Sequence, residues 1–162
     1  MNAHSAASTP RPLDPAGRPT APGRRRPPGL PWWQAAAAGA AVAAAVNLLI
    51  FAGARLAGAD LVLDASRARP YPITAGGVLF SSVVPMVAGI ALAALLSLLW
   101  SGFLRVAQVT GALLAVATLA GPLTSEADGG TVAALTAMHL VSGVVVVAAL
   151  EAVRRHRRGR PA

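Results

Sequence analysis

Cysteine and lysine are both missing from the chain. Without cysteine there is no disulfide framework, no thiolate metal site and no cysteine nucleophile. Charge is scarce as well: charged residues make up 12% of the sequence and aromatics 4%, against 55% hydrophobic residues, with a mean hydropathy of +0.59. So apolar a composition excludes an ordinary water-soluble domain and points to a membrane. The usual catalytic signatures are missing too. The sequence has no HExxH, no P-loop, no glycine fingerprint following a strand, and no serine, histidine and acid set at a credible depth. A non-enzymatic protein without a cofactor is therefore expected. The few acids support no alternative: Asp60 and Asp64 have Arg67 and Arg69 beside them for plain surface pairing, and Glu126 with Asp128 reads as a solvated turn.

What the sequence does contain is long apolar runs. Residues 35–54 carry a single strongly polar side chain, Asn47. Twenty residues at the helical rise span about 30 Å, the thickness of a bilayer's hydrocarbon core. Three further runs, at about 77–100, 104–123 and 131–151, also have uncharged centres. The expected fold is all-α: an integral membrane four-helix up-down bundle over residues 32–152, with a long outer loop at 55–76. Residues 1–31, rich in Pro, Ala, Gly and Arg, bury too little to offset their ordering entropy and are expected to be disordered. Residues 153–162 form a basic tail.

All fourteen basic residues are arginine, giving a net charge of +8. In a soluble domain that excess would suggest nucleic acid. Here ten arginines lie in the two tails, beside the apolar runs, where topology determinants and contacts to anionic lipid are found. Even "RRHRRGR" at 154–160 directly follows a span, so the bilayer and its anionic lipids are the expected partners, and nucleic acid is not. With the N-terminus in the cytoplasm, eleven arginines fall inside and three, Arg55, Arg67 and Arg69, outside. This asymmetry predicts both termini inside, in a multi-pass protein of the inner (plasma) cell membrane. The expected topology and lipid anchors are Arg24, Arg25, Arg26, Trp32, Trp33, Trp100, Arg105, Arg154, Arg155, Arg157 and Arg158. A cleavable signal is the rival reading of the first span. Its apolar stretch is too long for that, and Pro27 and Pro28 directly after the arginines weaken a twin-arginine signal.

The connections are short except the first. "WSGFL", from Trp100 to Leu104, predicts a tight inner turn that makes the second and third helices antiparallel neighbours. "TSEADGG" predicts an outer turn with Thr131 capping the fourth helix, and Thr74 is placed to cap the second. "DLVLD" suggests a short extended or interfacial piece in the outer loop.

Between membrane helices, small residues that admit close backbone approach and occasional polar pairs carry much of the association. Each span has such a stripe: Gly39, Ala43 and Asn47; Ser82, Pro85, Gly89 and Ala93; Gly111, Ala115, Thr118 and Pro122; Thr136, His139 and Gly143. At about 1.5 Å per residue, Asn47 lies roughly 18 Å from the inner boundary, with Pro85, Thr118 and His139 near the same level. These four residues form the candidate intramembrane polar layer, in which Pro85 frees a carbonyl near Ser81. His139 is either a carrier of protons or ligands, or a neutral ring bonded to Asn47, Thr118 or the freed carbonyl, tying the bundle together. The lack of a second ionisable group in any span interior favours the structural role.

The segments "AAVNLLIFAGA", "PITAGGVLFSSVVP", "GPLT" and "AMHLVSGVVVV" resemble a family of small bacterial membrane proteins, domain of unknown function 6069, over about residues 33–152. The resemblance implies a four-span integral membrane protein and no particular activity. The expected function is that of a non-enzymatic scaffold or interaction protein of the cell membrane, partnered by other membrane proteins or by itself as a homo-oligomer. The alternative is a small oligomeric transporter or channel using the layer around Asn47 and His139.

Overall fold

The computed structural model describes residues 29–63, 70–100 and 102–159. The predicted disordered tail, with Arg24, Arg25 and Arg26, lies outside the described residues apart from its last few positions, as do Asp64, Arg67 and Arg69. The described part is helical: α1 (Trp32–Leu56), α2 (Ala75–Leu96), α3 (Phe103–Ala117), α4 (Ala120–Thr124) and α5 (Gly129–Arg158). Two short strands, β1 (Val62–Leu63) and β2 (Tyr71–Pro72), pair antiparallel within the first loop. With α3 and α4 taken as one segment, four helices are long and apolar enough to cross a membrane.

Local chemistry places the breaks. Alanine, the best helix former, dominates α1, and that helix stops where Gly58 takes the left-handed conformation at φ +84°. Thr74 caps α2 as its position predicts, its Oγ1 accepting the Gly77 N–H at 3.1 Å. The third span is interrupted at Thr118 because Pro122 has no N–H to offer the Thr118 carbonyl. That carbonyl takes the Gly121 N–H at 3.2 Å instead, tightening the backbone between α3 and α4. The start of α5 corrects the expectation for Thr131. Asp128 is the N-cap, its Oδ1 accepting the Thr131 N–H at 3.0 Å. Thr131 sits at the third helical position, fully buried, because its hydroxyl is used elsewhere. Asp128 is correspondingly more than part of a solvated turn.

The bundle is tied at both ends. At one end, the Thr131 hydroxyl donates to Asp128 and accepts the Leu61 N–H at 2.9 Å, while Asp128 also accepts the Asp60 N–H at 3.3 Å. Leu61 is held at φ +53°, costly for a branched side chain by about 1–3 kcal/mol. Its carbonyl accepts the Ile73 N–H, and its side chain is buried with Phe51, Val78 and Met138. At the other end, the Leu30 N–H reaches the Ala152 carbonyl at 3.1 Å, and Arg157 donates to the carbonyls of Ser97 and Ala94 at 3.2 and 3.1 Å. The α1 start, α2 end and α5 end therefore meet on one side, and the α1 end and α5 start meet on the other, which gives an up-and-down bundle.

In that bundle α1 packs against both α2 and α5, and α3 packs mainly on α5. Helix α1 presents Ala35, Ala36, Gly39, Ala40 and Ala43 to Met86, Ile90, Ala149, Leu150 and Val153, a core of small residues against larger ones. Gly143 serves the α3 contact in the same way. A Cβ there would stand 2.6 Å from that of Ala115, so only glycine admits this approach.

Candidate functional site: an intramembrane cleft between α2 and α3

Helices α2 and α3 are joined by the predicted short turn and run antiparallel, yet they barely touch. Between them a cleft of about 690 Å³ runs from Thr74 and Tyr71 at one end to Leu96 and Phe103 at the other, with α5 as its floor. The walls are mostly apolar, and no charged side chain lines them among the described residues. Asn47, Pro85, Thr118 and His139 all line this one cleft. They differ in what each does there.

Asn47 is the buried member, 3% exposed. Its Nδ2 donates to Ser82 Oγ at 2.9 Å and to Ser142 Oγ at 3.1 Å, joining α1 to both α2 and α5. Ser82 gives its own proton to the Val78 carbonyl at 2.7 Å, so its lone pairs must receive, which orients the carboxamide nitrogen toward it. Asn47 Oδ1 is then left buried without a partner. Of the partners expected for His139, which were Asn47, Thr118 or the carbonyl freed by Pro85, Asn47 is taken by this serine pair. His139 instead points Nδ1 at the Leu135 carbonyl of its own helix, 2.8 Å away. A carbonyl only accepts, so Nδ1 carries a proton and Nε2 is the ring atom left for another partner.

Pro85 lies on the α2 wall beside Ser81, whose carbonyl has no donor four residues on. Thr118 is exposed at the break after α3, its hydroxyl turned back to the Ala115 carbonyl at 3.1 Å. Sequence reasoning missed Ser142 and Thr110, both on the cleft wall. Ser142 follows His139 by three residues, which puts them on one helix face and was the available signal. Thr136, placed on the same stripe, is not a lining residue; its buried hydroxyl has no partner. No group of three His, Cys, Asp or Glu side chains able to hold a metal ion occurs among the described residues.

The expected anchors divide. Trp32, Trp33 and Trp100 are exposed at the end of the bundle where α1 begins and α2 ends, and Arg105 is exposed at the start of α3. Arg154 and Arg155 donate to Glu151 at 2.8 and 2.9 Å, with Gln108 of α3 reaching the same carboxylate at 3.2 Å. Arg157 caps α2, as described above, and Arg158 is exposed. The basic end of α5 thus works partly as an internal fastening.

Neither a curated protein nor a solved structure matches the chain. A family model matches residues 28–156, covering the four helices together with the loops that bound the cleft, and on that match the chain belongs to the family of unknown function DUF6069.

Proposed function

We propose that this chain is a non-enzymatic interaction protein of the cell membrane, with both termini in the cytoplasm, that holds another membrane component in the cleft between α2 and α3. The observation that carries this reading is the open seam itself: two sequence neighbours joined by a tight turn stand apart over a cavity of about 690 Å³ while every other chain-adjacent pair of long helices is closed. Unfilled space of that size forfeits contacts along both walls, and it falls within the roughly 300–1,000 Å³ range of ligand sites. The excess of arginine at one end supports the orientation and a contact with anionic lipid headgroups.

A photoreactive amino acid placed at Leu92 on the cleft wall, with Leu49 on the outer face of α1 as control, tests the reading in native membranes. Specific adducts from position 92 and only bulk lipid from position 49 are expected; indistinguishable adducts from both positions would remove the reading.

The second reading is transport through the polar layer, favoured by the common cleft that Asn47, Pro85, Thr118 and His139 line. It predicts proton or solute flux in proteoliposomes that is lost in His139→Ala with the fold retained. Loss of thermal stability without any measurable flux in the parent protein goes against it.

A further inference from the structure

Hydrogen-bonding capacity on the polar floor of the cleft leans toward acceptors. Its polar floor joins three helices at one level: Asn47 bonds Ser82 and Ser142, Ser81 adjoins Ser82, and His139 lies one turn before Ser142. At that level acceptors outnumber free donors, the free donor being the hydroxyl proton of Ser142, whose oxygen receives from Asn47. Asn47 Oδ1 is buried and unpaired, the Ser81 carbonyl has lost its helical donor to Pro85, and His139 has spent its Nδ1 proton on Leu135, leaving Nε2 as its free ring nitrogen. Lipid tails cannot satisfy any of them, and water is scarce at that depth. Among the described residues the walls offer no charge of either sign, so a charged occupant would sit unpaired in hydrocarbon at high cost.

We infer that the cleft takes a neutral lipophilic molecule bearing an O–H or N–H donor, lodged with that donor on the acceptors around His139 and its hydrocarbon part along the α2 and α3 walls. This inference rests on the cleft being a binding site and adds the chemistry of the occupant. The donor provides selectivity: a hydroxyl or N–H in the bilayer core finds no acceptor among acyl chains, whereas this floor presents several. An ordinary acyl chain would fill the same volume and leave those acceptors bare.

The test compares two probes on the full chain in proteoliposomes: hexadecanol carrying a diazirine, and the methyl ether of the same molecule, which cannot donate. The expected result is labelling of cleft peptides by the alcohol over the ether by roughly fivefold, as one net hydrogen bond gives, with unlabelled hexadecanol displacing the label and its methyl ether failing to do so. His139→Phe should bring the ratio toward one, and His139→Gln, which retains an acceptor, should restore part of it. The displacement measurement uses only the parent protein, so the inference stays testable if a variant misfolds. Equal labelling by alcohol and ether within the cleft overturns the inference and leaves the cleft as a site for apolar chains. Absence of cleft labelling by either probe removes both the inference and the binding reading beneath it.

Discussion

The seam that α1 makes and the seam between α2 and α3 are both apolar and end up opposite in character. Along α1, 44% of the most apolar stretch is buried, whereas along the third span the figure is 6%. The face of α1 is alanine and glycine, so its backbone approaches α2 and α5 closely enough for Met86, Ile90 and Val145 to fit between. Helix α3 meets α5 through Gly111, Ala115 and Gly143, but toward α2 it presents Phe103, Val106 and Leu114, and α2 answers with Leu92, Pro85 and Gly89. Large residues facing the shallow positions of a neighbour do not interdigitate, and in lipid no hydrophobic term forces the gap shut. Tight packing in this protein is therefore a property of small-residue faces, and the cleft opens where those faces run out.

Enlarging a residue in each seam should separate them most. Ala43→Leu, at a site with no exposure, overpacks the α1 seam and is expected to cost about 3 kcal/mol or to prevent folding. Gly89→Leu, at a position where an added Cβ meets nothing within 4 Å, should cost about 0.5 kcal/mol or less. Thermal unfolding in detergent compares the pair, and equal losses would erase the distinction between the seams. Gly143→Ala comes next, forcing α3 away from α5 at a cost of about 1–3 kcal/mol. Ala115→Gly in the same chain should recover much of that loss, and its failure to do so would mean that the Ala115 contact is not the obstacle.

Asn47→Ala removes the bonds to Ser82 and Ser142 and should cost about 1–2 kcal/mol by the same measurement, given roughly 0.6 kcal/mol for each such bond in a membrane and the serine groups left unpaired. The smallest effect belongs to Asp128. Hydrogen bonds from the Thr131 side chain and backbone hold its carboxyl below the usual value of 3.8. Its contribution is thus complete above that value and is lost as pH falls through the lowered one. Acid unfolding should begin in that window for the parent protein and be blunted in Asp128→Asn, whose stability would not follow pH there. Identical acid limbs would detach the cap from the pH response.

Much of this could be read from the chain. Four apolar helices, the cap at Thr74, the short turn after α2 and an extended piece near Val62 follow from local patterns of hydropathy and turn chemistry. The candidate layer was partly legible because in a span with one polar residue, such as Asn47, that residue has few places to go. Its partners were not legible: Ser82 and Ser142 lie on different helices, and serine in a membrane helix is equally content to bond its own backbone, as Ser81 does with the Val78 carbonyl at 3.2 Å. His139 made the same choice with Leu135, so its Nδ1 forms none of the cross-helix bonds expected to Asn47, Thr118 or the carbonyl near Ser81. Thr131 was misassigned because threonine and aspartate both cap helices, and only the position of Leu61, whose N–H needs the threonine hydroxyl, distinguishes them.

The sequence by itself determined that this protein is a bundle of membrane helices, since four unbroken apolar runs of about 20 residues match the length at which a helix crosses lipid with its backbone satisfied internally. It also determined where arginine gathers and which residues are small enough to allow close approach. Only the tertiary structure decided which faces meet, that α2 and α3 part over a cleft, and that Asn47, Ser81 and His139 come to one level within it. Those outcomes depend on the rotation of each helix relative to its neighbours, which pairwise fit of side chains sets in three dimensions and no periodicity along one strand of sequence encodes.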